Sequence, residues 1–469
     1  MVDGWKTRIG FGAGDLAQNL VFSSVGAYLL FFCTDVVGIA PSAAAAMFLV
    51  VQLADVLWNP FAGVLIDRYN PPWGKYRSYL VLAGIPLAVF SALCFANPVS
   101  GASGAWKILY ASLAYAGFTL LFTLVNVAYG ALNASLTRDA DEITVLTAVR
   151  IFLANAGCLL AMAGVPMIVA ALADCGHAGR VPLPDGGSAA AWGHAALPWR
   201  MAVFMACGML PSFVFMPLLP ALRRWLGRKG LVYVFAVVAV VGMAALYVLS
   251  RAGGTRPVAS AWIYVAQFVK ATGIIVATGY MWALVPEVIS HSERLTGRRA
   301  SGIVNAIVGV FFRVGVALGK VAAGFVLAWT GYRAAQGGTR PVASAAVLPV
   351  EPRAWLWTMA FVALVASALL VFSFSQTKER IVMDVADAAR VRADDIWREF
   401  RRNGPLRWIA LYFVAAFAMM SVGNATGAYF IEGLEAQSPL AQEGIRWLVC
   451  VIPAMFMGVA AFAISRYRV

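Results

Sequence analysis

Asp55 and Asn59 stand four residues apart inside a long apolar run, so both oxygen-bearing side chains fall on one face of a helix. A carboxylate at bilayer depth costs at least ~2.5 kcal/mol even on the gentlest insertion scale. Residues kept there at such a cost usually handle ions or substrate, the alternative being a tolerated acid near a helix end. A cation-coupled device needs a site that is charged before binding and neutral after it, and Asp55 with Asn59 and Asn126 has that character. One carboxylate with two amides suits a proton; with Asp15 added, the set suits sodium. Asn59 and Asn126 have an alternative role in interhelical hydrogen bonding.

Asp15 repeats the pattern, with Asn19 one turn later. Two embedded arginines, Arg150 and Arg313, oppose the two carboxylates, and Lys270 and Lys320 are further cations in apolar surroundings. Charges of this kind persist when they pair around a water-filled cavity. For Lys270 the plainer role is a snorkelling residue near the outer surface. A hydroxyl-bearing solute would be held by carboxylate and guanidinium hydrogen bonds over an aromatic platform. Asp15, Asn19, Tyr129, Arg150 and Tyr429 are candidates, with Trp58, Trp282, Trp355 and Trp357 able to stack or to anchor at the membrane interface.

The elements that must position these groups are membrane spans. Of 469 residues, 61% are hydrophobic and 12% charged, with a mean hydropathy of +0.78, far outside the range of soluble enzymes. Windows of ~20 apolar residues give twelve spans: 10–33, 41–66, 78–97, 107–130, 146–173, 200–222, 231–250, 262–289, 302–331, 354–376, 406–431 and 444–466. An even number places both termini on one side. The net charge of +14 comes from Lys and Arg gathered in short loops, which predicts cytoplasmic termini rather than nucleic-acid binding. Five of the six cysteines fall within apolar spans and no CxxC occurs, so neither a disulfide framework nor a metal site is expected. The N-terminus lacks a signal-type cleavage site, and the first span is expected to remain. Within the stretch 379–404, Met383 to Phe400 alternates charged and apolar positions at near-helical spacing, consistent with a helix on the membrane surface or a solvated linker.

Several segments resemble the glycoside-pentoside-hexuronide cation symporters, the melibiose-permease group of the major facilitator superfamily. GFGAGDLAQN is similar to the family's G-x-G-D segment and carries Asp15 and Asn19. Asp55, Asn59, Pro60, Asp67, Arg68, Trp73, Gly74, Lys75 and Arg77 resemble the D-x-x-x-D/N-P helix and its D-R…W-G-K-x-R loop. TLVNVAYGAL, with Asn126 and Tyr129, resembles the fourth-helix motif, with Ala128 where the family has proline. Arg150 sits at the fifth-helix arginine. Met281 to Gly302 is similar to W-A-M-x-x-D-x-x-D-Y-x-E-x-x-T-G-x-R-x-x-G and retains Trp282, Glu293, Thr296, Gly297, Arg299 and Gly302; Glu287, Ser290 and His291 depart from it. Arg313 stands where the family carries an embedded lysine.

The order of segments departs from the family. FSFSQTKERI through the span bearing Asn424 and Tyr429 resembles helices six and seven, yet follows segments resembling helices eight to eleven. The chain reads as helices one to five (1–173), eight to eleven (200–331), six (354–376), a linker (379–404), then seven and twelve (406–469). Each transposed block holds an even number of spans, so every helix keeps its direction. The nonapeptide GGTRPVASA occurs at 253–261 and again at 337–345, a duplication scar rather than a repeat fold.

The resemblance implies an all-α membrane protein of two six-helix bundles with the major facilitator fold. It implies a secondary transporter, not an enzyme, moving a sugar or glycoside-like solute with H+ or Na+ and needing no cofactor. Asp55, Asn59, Asn126 and Asp15 would couple the cation. Asp15, Asn19, Tyr129, Arg150, Arg313, Trp282, Asn424 and Tyr429 would bind solute. Its partners would be that solute, the cation and the lipid bilayer of a bacterial inner membrane, with no nucleic acid and a monomeric state. An exporter or lipid-type transporter of the same fold, or a transport-dead sensor, are the competing functions.

Overall fold

The computed structural model describes residues 4–68, 71, 73–74, 76–136, 140–176, 181–182, 188–189, 196–252, 261–296, 301–332, 352–377, 400–401, 403–431 and 438–467. Thirteen α-helices are described: α1 (Gly4–Phe31), α2 (Pro41–Arg68), α3 (Ser78–Leu82), α4 (Gly84–Leu93), α5 (Gly104–Leu136), α6 (Ala140–Gly176), α7 (Ala196–Ala252), α8 (Trp262–Thr296), α9 (Ser301–Trp329), α10 (Pro352–Gln376), α11 (Gly404–Ile431), α12 (Pro439–Arg446) and α13 (Ile452–Arg466). Turns of π-helix extend α1 over Phe32–Val36 and join α12 to α13 over Trp447–Val451. Between α6 and α7, Val181–Pro182 pairs antiparallel with Ser188–Ala189.

Eleven spans among the described residues are long and apolar enough to cross a bilayer, two of them within α7. Gly227 divides α7 at φ 71°, a left-handed backbone that glycine adopts without a Cβ penalty. The twelfth expected span, 78–97, is instead the shorter apolar pair Ser78–Leu93. Pro86 lacks the N–H that would bond the Leu82 carbonyl, and the helix breaks just there, between α3 and α4. The expected surface helix lies almost wholly outside the described residues.

Packing sorts the helices into two sets. The first contains α1 to α6 and α10, with α10 lying against α1, α3, α4 and α6. The second contains α7, α8, α9, α11 and α13, with α11 against α8, α9 and α13, and α13 against α7. Contacts between the sets run through α2 with α9, α6 with α7, and α1 with α11. Helix α10 thus packs within the first set and α11 within the second.

Without a hydrophobic drive between helices in lipid, close backbone approach has to come from small residues. A Cβ on Gly157 of α6 would lie 2.5 Å from the Leu16 carbonyl oxygen of α1. On α9, Gly315 and Gly319 form a G-x-x-x-G pair, and a Cβ on Gly319 would lie 2.5 Å from the Ala418 carbonyl oxygen of α11. Gly319→Leu should therefore lower the melting temperature of the purified protein, overpacking costing ~1–3 kcal/mol. Gly164→Ala, where a Cβ meets nothing within 4 Å, is the control. Equal melting of the two variants would contradict this account of how α9 and α11 meet.

Candidate functional site

Helix α2 shows most plainly how the sequence aims its chemistry. Val50, Leu53, Leu57 and Phe61 form an exposed stripe that suits lipid, while Asp55 is 0% exposed. Its carboxylate is shared by three donors. Thr123 Oγ1 of α5 donates to Oδ1 at 2.5 Å, Gln52 Nε2 donates to Oδ2 at 3.2 Å, and the Arg313 guanidinium of α9 donates to Oδ2 in an ion pair. Arg313 is itself buried, so each charge answers the other's desolvation. Because Arg313 belongs to the second helix set, this ion pair crosses from one bundle to the other.

The pair is one rung of an antiparallel seam between α2 and α9. A Cβ on Gly324 would lie 2.5 Å from the Ala45 Cβ, Lys320 Nζ lies 5.5 Å from the Phe48 ring centre, and a Cβ on Gly309 would lie 3.6 Å from Asn59 Nδ2. Asn59 is thus on the seam, one turn beyond Asp55. Beside the seam is a narrow cleft, lined from the first bundle by Phe22, Gln52, Asp55 and Tyr115 and from the second by Arg313 and Lys320, among others.

Asp15 belongs to a separate cluster. Arg150 Nε of α6 donates to its Oδ2 at 2.5 Å, and the guanidinium lies 5.0 Å from the Tyr129 ring centre. Tyr129 donates its hydroxyl to the Phe11 carbonyl and stacks on the Phe11 ring. Asn19 Nδ2 donates to the Asp15 carbonyl oxygen at 2.9 Å. All these partners lie in the first bundle, and none also contacts the Asp55 carboxylate. The structure therefore brings Asp55 together with Arg313, and Asp15 with Arg150, Tyr129 and Asn19, as two centres rather than one. Asn126 and Asn424 are partly buried on α5 and α11.

Tyr429 sits elsewhere, at the end of the bundles opposite the termini. Its hydroxyl lies 2.7 Å from Thr34 Oγ1, and its ring lies 5.2 Å from that of Tyr332, which donates to Asp35 Oδ1 at 2.9 Å. Thr34 and Asp35 belong to the first bundle and Tyr332 and Tyr429 to the second, so these contacts close that end. Trp58 donates to the Leu120 carbonyl, Trp355 is enclosed by Tyr28, Phe31, Phe32 and Phe95, and Trp357 is 65% exposed. The side chain of Trp282 lies outside the described residues, as do those of Glu287, Ser290, His291 and Glu293. Lys270 is buried rather than snorkelling, its backbone close against Gly242.

Sequence reasoning missed Gln52, Thr123 and the Thr34–Asp35 cluster. Gln52 and Thr123 each stand one turn before a residue that was singled out, Asp55 and Asn126, so helical spacing carried a signal for both. Among the described residues, no group of three or more His, Cys, Asp or Glu side chains is arranged to hold a metal.

Comparison with known proteins agrees with this architecture. The sequence matches the family described as MFS/sugar transport protein over residues 10–188, 197–350 and 341–434. It is 32% identical over 400 residues to the uncharacterized symporter YnaJ of Bacillus subtilis (strain 168), covering 71% of this chain and 84% of that one. It is 25% identical over 453 residues to the isoprimeverose transporter of Lactiplantibacillus pentosus, covering 81% and 91%. It is 36% identical over 162 residues to the putative glycoside/cation symporter YagG of Escherichia coli (strain K12), covering 34% and 35%. With its two bundles and multiple membrane spans, the chain belongs to the MFS/sugar transport family, in its glycoside-pentoside-hexuronide cation symporter group, and is a multi-pass membrane transporter.

Proposed function

We propose that this transporter carries a sugar or glycoside-like solute together with a proton or a sodium ion, by alternating access, with both termini in the cytoplasm. The observation that carries the reading is the Asp55 carboxylate, buried on the seam between the bundles and neutralised by Arg313 of the opposite bundle. A cation arriving at Asp55 and the Arg313 guanidinium are alternatives for the same charge. Protonation removes the anion that Arg313 pairs with; sodium occupies the oxygens it uses. Either event loosens a rung that ties α2 to α9, and rocking of the two bundles needs that seam to slide. Cation binding is thereby linked to movement without any change in covalent chemistry. The closed contacts at Thr34, Asp35, Tyr332 and Tyr429 fit a structure shut at one end while the bundles meet along α2 and α9.

The Asp15–Arg150 pair is the candidate solute anchor. It offers a carboxylate that accepts from sugar hydroxyls and a guanidinium that donates to them, above the Tyr129 ring. Asp15→Asn should weaken solute binding by roughly 10- to 100-fold, the range for hydrogen bonds to a charged group, while a cation gradient still drives what uptake remains. Uptake of radiolabelled glycosides into proteoliposomes, with and without an inward cation gradient, tests both statements. Flux that ignores the gradient would remove the symport reading; gradient-driven flux only outward would make the protein an exporter.

A further inference from the structure

The narrow cleft beside the α2–α9 seam holds more positive than negative charge. Among the described residues its lining carries one carboxylate, Asp55, and two cations, Arg313 and Lys320. Arg313 pairs with Asp55. Lys320 stands seven residues further along α9, ~10 Å beyond Arg313, and is 8% exposed. Among the described residues no carboxylate lies within ion-pair distance of its ammonium. Instead the ammonium donates to the Tyr115 hydroxyl oxygen of α5 at 2.6 Å and lies 4.8 Å and 5.5 Å from the ring centres of Tyr115 and Phe48. Ring faces solvate a buried ammonium only in part, since a cation–π contact contributes less than an ion pair in a dry site.

An ammonium has three donors, and a tyrosine hydroxyl that accepts one bond still has its own hydrogen to give. Among the described residues, neither the two remaining donors of Lys320 nor the Tyr115 hydroxyl hydrogen meets an acceptor. The polar neighbours are engaged elsewhere. Thr119 donates its hydroxyl to the Tyr115 carbonyl oxygen at 2.7 Å, and Gln52 donates its amide to Asp55. Three donors and a surplus positive charge, walled by Phe22, Val25, Phe118 and Val316, make a site that favours an anion over a cation or a neutral acceptor. Size narrows the choice further. The open space in the cleft is about 30 Å³, room for one or two water-sized groups. A monatomic ion fits there and a polyatomic organic anion does not.

We propose that the cleft is a binding site for a small monovalent inorganic anion, chloride, held by the Lys320 ammonium and the Tyr115 hydroxyl. The ion balances the surplus charge and leaves Arg313 to Asp55. Tyr115 belongs to the first bundle and Lys320 to the second, so the ligands of the anion straddle the seam. Chloride therefore favours the arrangement in which α5 and α9 meet beside the cleft, by its higher affinity for that state. This is an effector site, distinct from the places assigned above to the solute and to the coupling cation.

Chlorine NMR linewidths of choline chloride solutions, with the purified full-length protein added, read chloride binding without sodium or solute present. The wild-type protein should broaden the chloride line saturably, and bromide should remove that broadening. Gluconate and sulfate, too large for the cleft, should leave it at equal ionic strength. Lys320→Gln should abolish the protein-dependent broadening, and Lys320→Arg, which keeps the charge, should retain most of it. Tyr115→Phe keeps the ring and removes one donor, so it should weaken chloride binding roughly tenfold. The wild-type melting temperature should rise in choline chloride over choline gluconate along the same saturation curve, and Lys320→Gln should show no such rise. Absence of protein-dependent broadening overturns the proposal and leaves water as the occupant of the cleft. Broadening that sulfate removes as well as bromide does, or that survives Lys320→Gln, also overturns it. Should Lys320→Gln fail to fold, Tyr115→Phe decides the matter, since unchanged chloride affinity in that variant overturns the proposal by itself. None of these outcomes depends on which solute or cation is carried, so the proposal can fail while the symport reading stands.

Discussion

Asp55→Asn should abolish solute accumulation and leave solute exchange. The substitution keeps shape and one acceptor oxygen for Thr123 while removing the charge that a cation titrates. With the membrane potential clamped at zero, a tenfold cation gradient corresponds to ~1.4 kcal/mol per cation and sustains about tenfold accumulation when one cation moves with each solute. The variant should fall to equality of inside and outside concentrations, while counterflow between preloaded and external solute continues. Radiolabelled uptake and counterflow in the same proteoliposomes measure both. An Asp55→Asn protein that still concentrates solute with wild-type cation dependence would take Asp55 out of the mechanism.

Arg313→Gln should be the most damaging single change to the folded protein. It leaves the Asp55 carboxylate buried with only Thr123 and Gln52 as donors, and breaking one side of a buried ion pair typically costs ~3–5 kcal/mol. The double variant Asp55→Asn with Arg313→Gln should regain most of the lost thermal stability, because no uncompensated charge remains. Arg313→Lys should lie between, since an ammonium lacks the planar fork and reach of a guanidinium. Melting curves of the purified variants decide the matter. If the double variant melts as low as Arg313→Gln alone, the cost lies in lost packing rather than in an orphaned charge.

The architecture was legible in the sequence because membrane spans write themselves in composition: long apolar windows, basic loops and embedded charges survive any reordering of segments. Helices α10 and α11 carry family-like residues of their own, and α10 packs within the first set and α11 within the second. What the sequence could not resolve was which charges meet. Asp15 and Asp55 look alike in one dimension, each with an asparagine one turn on, yet Asp15 faces α6 and Asp55 faces α9. Tyr429 reads as a ring beneath a sugar, but its place near the end of α11 puts it against Thr34 and Tyr332. The break between α3 and α4 was signalled by Pro86, which a hydropathy window averages away.

If Asp55 binds the coupling cation, that binding can be read without knowing the solute. Sodium calorimetry and infrared difference spectra of the carboxyl band during pH titration should be compared for the wild-type protein, Asp15→Asn and Asp55→Asn. A sodium heat or a protonated-carboxyl band that is present in the first two proteins and absent in Asp55→Asn is the predicted result. The same signal persisting unchanged in Asp55→Asn, or vanishing in Asp15→Asn instead, would place the coupling site elsewhere.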